Sequence, residues 1–386
     1  MSVTAAEGFV AGGMHCGVKR SRPDLMMLAT ADRRPVPAAG VFTQNRFRAP
    51  PVDASIARLA ASGGHAVGVV VNSGNANAGT GAPGLADAEA MCDAAAGALG
   101  AASGEVLVCS TGIIGEPLPI GRITGAIPTL AGRLSRDGGA DAARAILTTD
   151  TVAKEAVVDM GGFTVGGMAK GCGMIAPNMA TMLAFLTTDA QAEPAALRAM
   201  LRDAADQTFN RVVVDGATST NDTVLLFAAG RRGPAPAGAL EEAVHRVCAD
   251  LAMQIARDAE GRTKVATVRV VGAASDGDAR LVAHRIVGNQ LIKCSWYGAD
   301  PYWGRLLAEA GASGAAMESA QASVSYGGTC VARGGVGIAY DREAVARHMG
   351  GEALDILVDL GIGTGSGHAI GADLGPGYIK ENAGTS

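Results

Sequence analysis

The sequence predicts an α/β protein, and three observations predict it. Runs rich in Val, Leu and Ile alternate along the chain with Ala-rich stretches of helical period. Apolar residues make up 48% of the chain but aromatics only 4%, so a core would be built from small aliphatic side chains. Fifty-five glycines speak for many tight turns and close backbone approaches.

In order, "AVGVVV" at 66–71 reads as a buried strand and "LADAEAMCDAAAGAL" at 85–99 as a helix; "EVLVCS" at 105–110 reads as a strand that runs into Thr111-Gly112. The runs at 181–188, 211–216, 223–229, 263–272 and 353–361 read as strands, and 195–209, 239–259, 301–311 and 342–349 carry the helical period. "SYGGTCVARGGVG" at 325–337 alternates glycine with β-formers like a hairpin, whereas "AGRRGPAPAGA" at 229–239 reads as a surface connection and a candidate boundary. At roughly 150 residues per domain, 386 residues predict two or three units.

Composition excludes several classes. The 32 basic and 37 acidic side chains leave a formal charge of -5, and no basic cluster is longer than "VKRSR", which argues against a nucleic-acid partner. Seven cysteines stand singly, without a C-x-x-C pair, as in a reducing compartment. The first residues place their basic side chains after the mildly apolar part, the reverse of a secretory signal, and no run of about 18 apolar residues predicts a membrane span. A cytoplasmic protein is expected, where the sequon Asn221-Asp222-Thr223 is an accidental match. The six histidines have no metal spacing, so no metal is expected. A P-loop and a G-x-S-x-G elbow are missing, and "GIGTGSGHAIG" at 361–371 has too little chain behind it for a dinucleotide-binding unit.

One stretch remains unexplained: "KGCGMIAPNMATMLAFLTTDA", Lys170 to Ala190, where loop chemistry leads into an apolar run that opens on Thr181. A threonine hydroxyl needs a base, and its own α-amine can be that base if the chain is cut between Ala180 and Thr181. A free α-amine has a pKa of about 7.7 to 8.0, whereas a peptide nitrogen has no basicity. Gly171, Gly173 and Pro177 suit an unusual backbone before such a cut, and Lys170 is a cation able to stabilise an oxyanion or lower an amine pKa. From the residues alone the plainer reading stays ahead: Thr181 opens a strand, Lys170 is a loop cation, Ser110-Thr111-Gly112 is a strand-end turn and Glu260 a helix-end acid.

The same stretch closely resembles the self-processing segment of the ornithine acetyltransferase family of arginine biosynthesis, whose members break an Ala-Thr bond. Further matches follow in order: "GVFTQNRFRAPPV", "VVNSGNANAGTG", "CSTGIIGEPLP", "AILTTD", "TFNRVVVDGATSTNDT", "DAEGRTK", "DPYWGR" and "YIKEN". The resemblance implies that acetyl passes from N-acetylornithine to Thr181 as an ester and then to glutamate, without a cofactor but with acetyl-CoA as a candidate second donor. It implies an oxyanion hole at Thr111 and Gly112, with Lys170 at the catalytic centre. It implies substrate contacts at Thr148, Lys170, Thr181, Glu260, Asn382 and the terminal hydroxyl, Ser386 or Thr385. The implied architecture is a layered α-β-β-α sandwich, with an α fragment of 1–180 and a β fragment of 181–386 sharing one active site in an α2β2 assembly. Tyr302 departs from the family pattern, where Asn is commoner, and Cys172 replaces a small residue. The alternatives are an amidase or aminopeptidase with the same threonine, or an acyltransferase of a secondary-metabolite pathway.

Overall fold

The computed structural model describes residues 2–176 and 182–384. Ala180, Thr181, Thr385 and Ser386, and with them the expected nucleophile and terminal contact, lie outside the described residues, as does Pro177. The chain divides into two compact units: Met1–Cys172, Asn178–Asn210 and Thr218–Ile255 form the first, and Gly173–Pro177, Arg211–Ala217 and Ala256–Ser386 the second.

The first unit holds two sheets among the described residues. One runs Phe9–Met14, Leu25–Thr30, Gly68–Asn75 and Val106–Ile113. The other runs His65–Ala66, Val36–Phe42, Thr223–Ala228, Leu183–Thr188, Thr164–Lys170 and Lys154–Asp159. Side chains alternate across each strand, so each sheet has two apolar faces to bury. Met26, Leu28, Val69 and Leu107 of the first sheet share a core with Met168, Phe185, Leu225 and Phe227 of the second. On the far side of the first sheet, Leu25, Met27, Val70 and Val108 pack against Met91 and Cys92 of the helix Gly81–Leu99 and Ile123 and Ile127 of the helix Ile120–Ala131. On the far side of the second, a side chain at Gly167 would meet Val247 and Leu251 of the helix Ala239–Arg257. Helix, sheet, sheet and helix thus stack in the order expected of a sandwich.

The second unit is two-layered. Its sheet runs Val212–Val213, Gly365–Ala372, Val265–Ala273, Ala353–Asp359, Ser323–Tyr326, Thr329–Arg333 and Val336–Gly337. Ala266, Val268, Val270, Ile356 and Val358 meet Val282, Ile286 and Trp296 from the helices Asp276–Gly288 and Gln290–Tyr297. The opposite face carries Arg269 and Asp355, a partly exposed ion pair at 2.8 Å.

Two expectations are corrected, and one strand had not been expected. The segment 229–239 is no boundary: it stays in the first unit, where the Asp189 carbonyl accepts from Arg232 and the Gly233 carbonyl from Gln191. The strand expected at 211–216 shrinks to Val212–Val213, because the Asp215 carboxylate binds nearby N–H groups and draws the backbone out of the ladder. The Gly-rich run at 361–371 overlaps the strand Gly365–Ala372, antiparallel to Val265–Ala273, and side chains at Gly365 or Gly367 would collide with backbone at Ser275 or Arg280. The hairpin at 325–337 is present as expected.

Candidate functional site

Lys170 is not a loop cation. It ends the strand Thr164–Lys170, stands in register with Leu183 of the adjacent antiparallel strand, and is 3% exposed. A buried ammonium requires a counter-charge, and Asp150, itself 4% exposed, provides it at 3.7 Å. Asp150 also pairs with the buried Lys154 at 2.8 Å and accepts the backbone N–H of Gly171 at 2.6 Å and of Thr148 at 3.0 Å. Burial by itself would raise the Asp150 carboxyl, but Lys170 and Lys154 beside it hold it well below the usual carboxylate range. Gly171 has φ near +149°, a region that glycine tolerates and a side chain does not.

Thr148 is half-buried, tied to Asp150 through its N–H, with its carbonyl accepting from Arg22. Lys19 joins this neighbourhood from the N-terminal region, donating to the Pro23 carbonyl at 2.9 Å and to that of Leu147. Burial, aided by Arg22, lowers its ammonium to about 8. Neither Lys19 nor Asp150 was singled out by sequence reasoning, although Asp150 lies inside the quoted "LTTD".

Thr111 and Gly112 lie near the end of the strand Val106–Ile113, where pairing with Gly68–Asn75 is irregular around Gly74 and Asn75. Gly112 has φ near +139°, and a Cβ there would collide with the Gly74 backbone. Thr111 is 4% exposed. The turn is fastened by side chains: Ser110 Oγ donates to Asn72 Oδ1 at 2.6 Å, and Asn72 Nδ2 to the Asn75 carbonyl at 2.8 Å.

The dipeptide Asn221-Asp222 ties this turn to the chain that follows Thr181. Asn221 Nδ2 donates to the carbonyls of Ser110 at 2.9 Å and Ala76 at 2.6 Å, while Asp222 Oδ1 accepts the Met182 N–H at 2.9 Å. The carbonyl of Met182 accepts in turn from the Thr223 N–H at 3.2 Å. Asn221 is therefore a structural carboxamide, 5% exposed, and its sequon is not offered to solvent. Alternating polar positions ahead of a strand were the only available sequence signal.

Glu260 and Asn382 belong to the second unit. Glu260 follows the helix Ala239–Arg257 in a turn, is 9% exposed, and accepts from Asn382 Nδ2 at 2.9 Å. Gly173 has no unusual φ; it is small because a side chain there would collide with the Glu260 carboxylate, which corrects the expected reason for that glycine. Gly261, at φ near +64°, brings its backbone against Gly377 and Tyr378 at the start of the helix Pro376–Asn382. Tyr378 donates to Asp215 Oδ2 at 3.1 Å, and burial with Asp215 alongside pushes its phenol well above the ordinary value.

The two departures have local explanations. Cys172 is 1% exposed with its Sγ 3.0 Å from Thr149 Oγ1, a packed position unsuited to a nucleophile. Tyr302 is exposed and carries the Arg305 guanidinium 4.4 Å from its ring centroid, a surface cation–π contact. Among the described residues no group of three or more His, Cys, Asp or Glu is arranged to hold a metal ion, and no helix is long and apolar enough to cross a membrane.

The ArgJ family model matches residues 10–385. The chain is 47% identical over 386 residues to a Streptomyces coelicolor protein named arginine biosynthesis bifunctional protein ArgJ, covering 99% of each chain. It is 45% identical over 386 residues to the Thermus thermophilus protein of that name, again covering 99% of each. A crystal structure of the Bacillus halodurans protein of that name is similar at a TM-score of 0.49 and 37% identity, over 51% of this chain and 96% of the other.

Proposed function

The chain belongs to the ArgJ family, and from that premise we propose that it moves the acetyl group of N-acetylornithine to glutamate through an ester on Thr181. The observation that carries this reading is the match along almost the whole chain to relatives named for arginine biosynthesis.

Maturation comes first. Thr181 Oγ adds to the Ala180 carbonyl carbon, the C–N bond breaks, and the hydroxyl proton passes to the departing nitrogen. Water then hydrolyses the Ala180–Thr181 ester, releasing the Ala180 carboxylate and restoring the hydroxyl beside a free α-amine. That amine takes the Oγ proton as Oγ attacks the acetyl carbonyl, and returns a proton to the ornithine nitrogen as that C–N bond breaks. Glutamate's amine attacks the acetyl ester by the reverse path, giving N-acetylglutamate. Thr111 Oγ1 and the Gly112 N–H stabilise the oxyanion of each tetrahedral intermediate.

The sheet supports a cut that does not release the pieces. Strands Leu183–Thr188 and Thr223–Ala228, both after Thr181, lie between Val36–Phe42 and Thr164–Lys170, both before it. A fragment of 1–180 and one of 181–386 would remain hydrogen-bonded along two strand pairs. Lys170 holds a substrate carboxylate and Glu260 a substrate ammonium, with Thr148, Asn382 and a terminal hydroxyl completing the contacts. The matured fragments pair as an α2β2 assembly in the cytoplasm, and acetyl-CoA serves as a second donor, in line with the relatives' description as bifunctional.

The denatured intact mass of fresh protein tests the first step: two fragments meeting at Ala180 and Thr181, absent from Thr181→Ala, are expected. One uncut chain that still transfers acetyl would refute the N-terminal threonine mechanism. Formation of N-acetylglutamate from acetyl-CoA and glutamate, above the Thr181→Ala background, tests the second donor.

A further inference from the structure

The segment Asp215 to Asp222 bears an aspartate at each end, and each binds backbone on one side of the Ala180–Thr181 bond. Upstream, Asp215 Oδ2 accepts the Met174 N–H at 2.6 Å and Oδ1 the Ile175 N–H at 2.9 Å. The Ile175 carbonyl accepts from Val214 at 2.8 Å, so the two chain segments are joined from both sides. Met174 has φ near +55°, a backbone strain for a side-chain-bearing residue that the Asp215 bond opposes. Downstream, Asp222 Oδ1 accepts the N–H of Met182, the residue directly after the threonine. Asp222 is fully buried, and its Oδ2 has no hydrogen-bond partner among the described residues. Burial, only partly offset by the Met182 N–H, raises its carboxyl well above the ordinary value.

Resting on the self-cleavage reading, we propose that Asp215 and Asp222 are positioning residues that hold the two flanks of the cleaved bond, and that only Asp222 stays necessary once the bond is cut. The asymmetry follows from connectivity. After cleavage, Met174 and Ile175 lie on the fragment that ends at Ala180, without the nucleophile. Met182 stays covalently joined to Thr181.

The test follows the precursor by denatured intact mass after cell-free synthesis, then measures kcat and KM on fully cut enzyme with N-acetylornithine and glutamate. Asp215→Ala and Asp222→Leu each remove an acceptor and are expected to slow cleavage at least about tenfold. Cut Asp215→Ala should keep kcat within about threefold of the parent, while cut Asp222→Leu loses about tenfold or more in kcat with little change in KM. Cleavage at the parental rate in both, or an equal loss of kcat in both, overturns the proposal. If either variant does not fold, Asp215→Asn and Asp222→Asn decide. Asn at 222 keeps an acceptor for one N–H and should cut near the parental rate, whereas Asn at 215 turns one of two acceptors into a donor and should cut more slowly. Equal rates or the reverse order overturn the proposal. An uncut parent would instead defeat the self-cleavage reading.

Discussion

The neighbourhoods of Lys170 and Glu260 each hold one charged side chain, in opposite ways. Lys170 sits at the end of a central strand with its counter-ion buried, and Asp150 is shared with Lys154 and two backbone N–H groups. Glu260 sits in a turn, with the exposed Asn382 of a seven-residue terminal helix as partner and glycines giving it room. A buried network fails as a whole when one member is removed, because the remaining charges lose their compensation. A turn carboxylate whose partner is a neutral amide on an exposed helix can lose that one hydrogen bond at a cost of about 1.5–3 kcal/mol.

The largest effect expected is that of Thr181→Ala, which should stop both cleavage and transfer; intact mass and a coupled ornithine assay should show a loss of at least about a thousandfold in rate. Asp150→Asn breaks the comparison from the buried side. It leaves two buried ammoniums under-compensated and should cost about 3–5 kcal/mol of stability, seen as a lower Tm at pH 6. Because the Asp150 carboxyl is depressed in the folded chain, its contribution is full above its unfolded pKa of about 3.9 and is lost as pH falls below that value. The Tm gap between parent and variant should accordingly begin to narrow below about pH 4 and close only as pH falls through the lower folded-state value.

Glu260→Gln sharpens the other side. Loss of one charge-assisted bond, about 1.5–3 kcal/mol, should raise the KM for N-acetylornithine roughly tenfold to a hundredfold while leaving cleavage complete. Asn382→Ala should have the smallest effect, about threefold to tenfold in KM, since it orients Glu260 without carrying charge. A loss of stability in Glu260→Gln as large as in Asp150→Asn would contradict the distinction.

Much of the fold could be read from the residues. The helices at 81–99, 194–207 and 342–349 and the strands at 223–228 and 265–273 match their sequence periods to within a few residues at the ends, because each buries one apolar face or lies in a wholly apolar environment. The strand at Gly365–Ala372 escaped notice because five of its eight residues are glycine or alanine, suited to a close helix and not to β-propensity. The site was legible only where chemistry and order coincide, as at "KGCGMIAPNMATM" and "CSTGIIG". Asp150, Asn221, Asp222 and Lys19 were not, since a carboxylate or amide in a polar loop looks the same whether it meets water or a buried ammonium.

The sequence by itself determined the α/β class and the family resemblance, for these depend on composition, local period and motifs in order. The tertiary structure alone decided which polar residues are compensated and by whom. Lys170 meets Asp150 across twenty residues of sequence, and Asn221 meets Ser110 across 111. A charge or an amide becomes a site component through its distance to its partners and its removal from water, and both are set by which strands lie side by side.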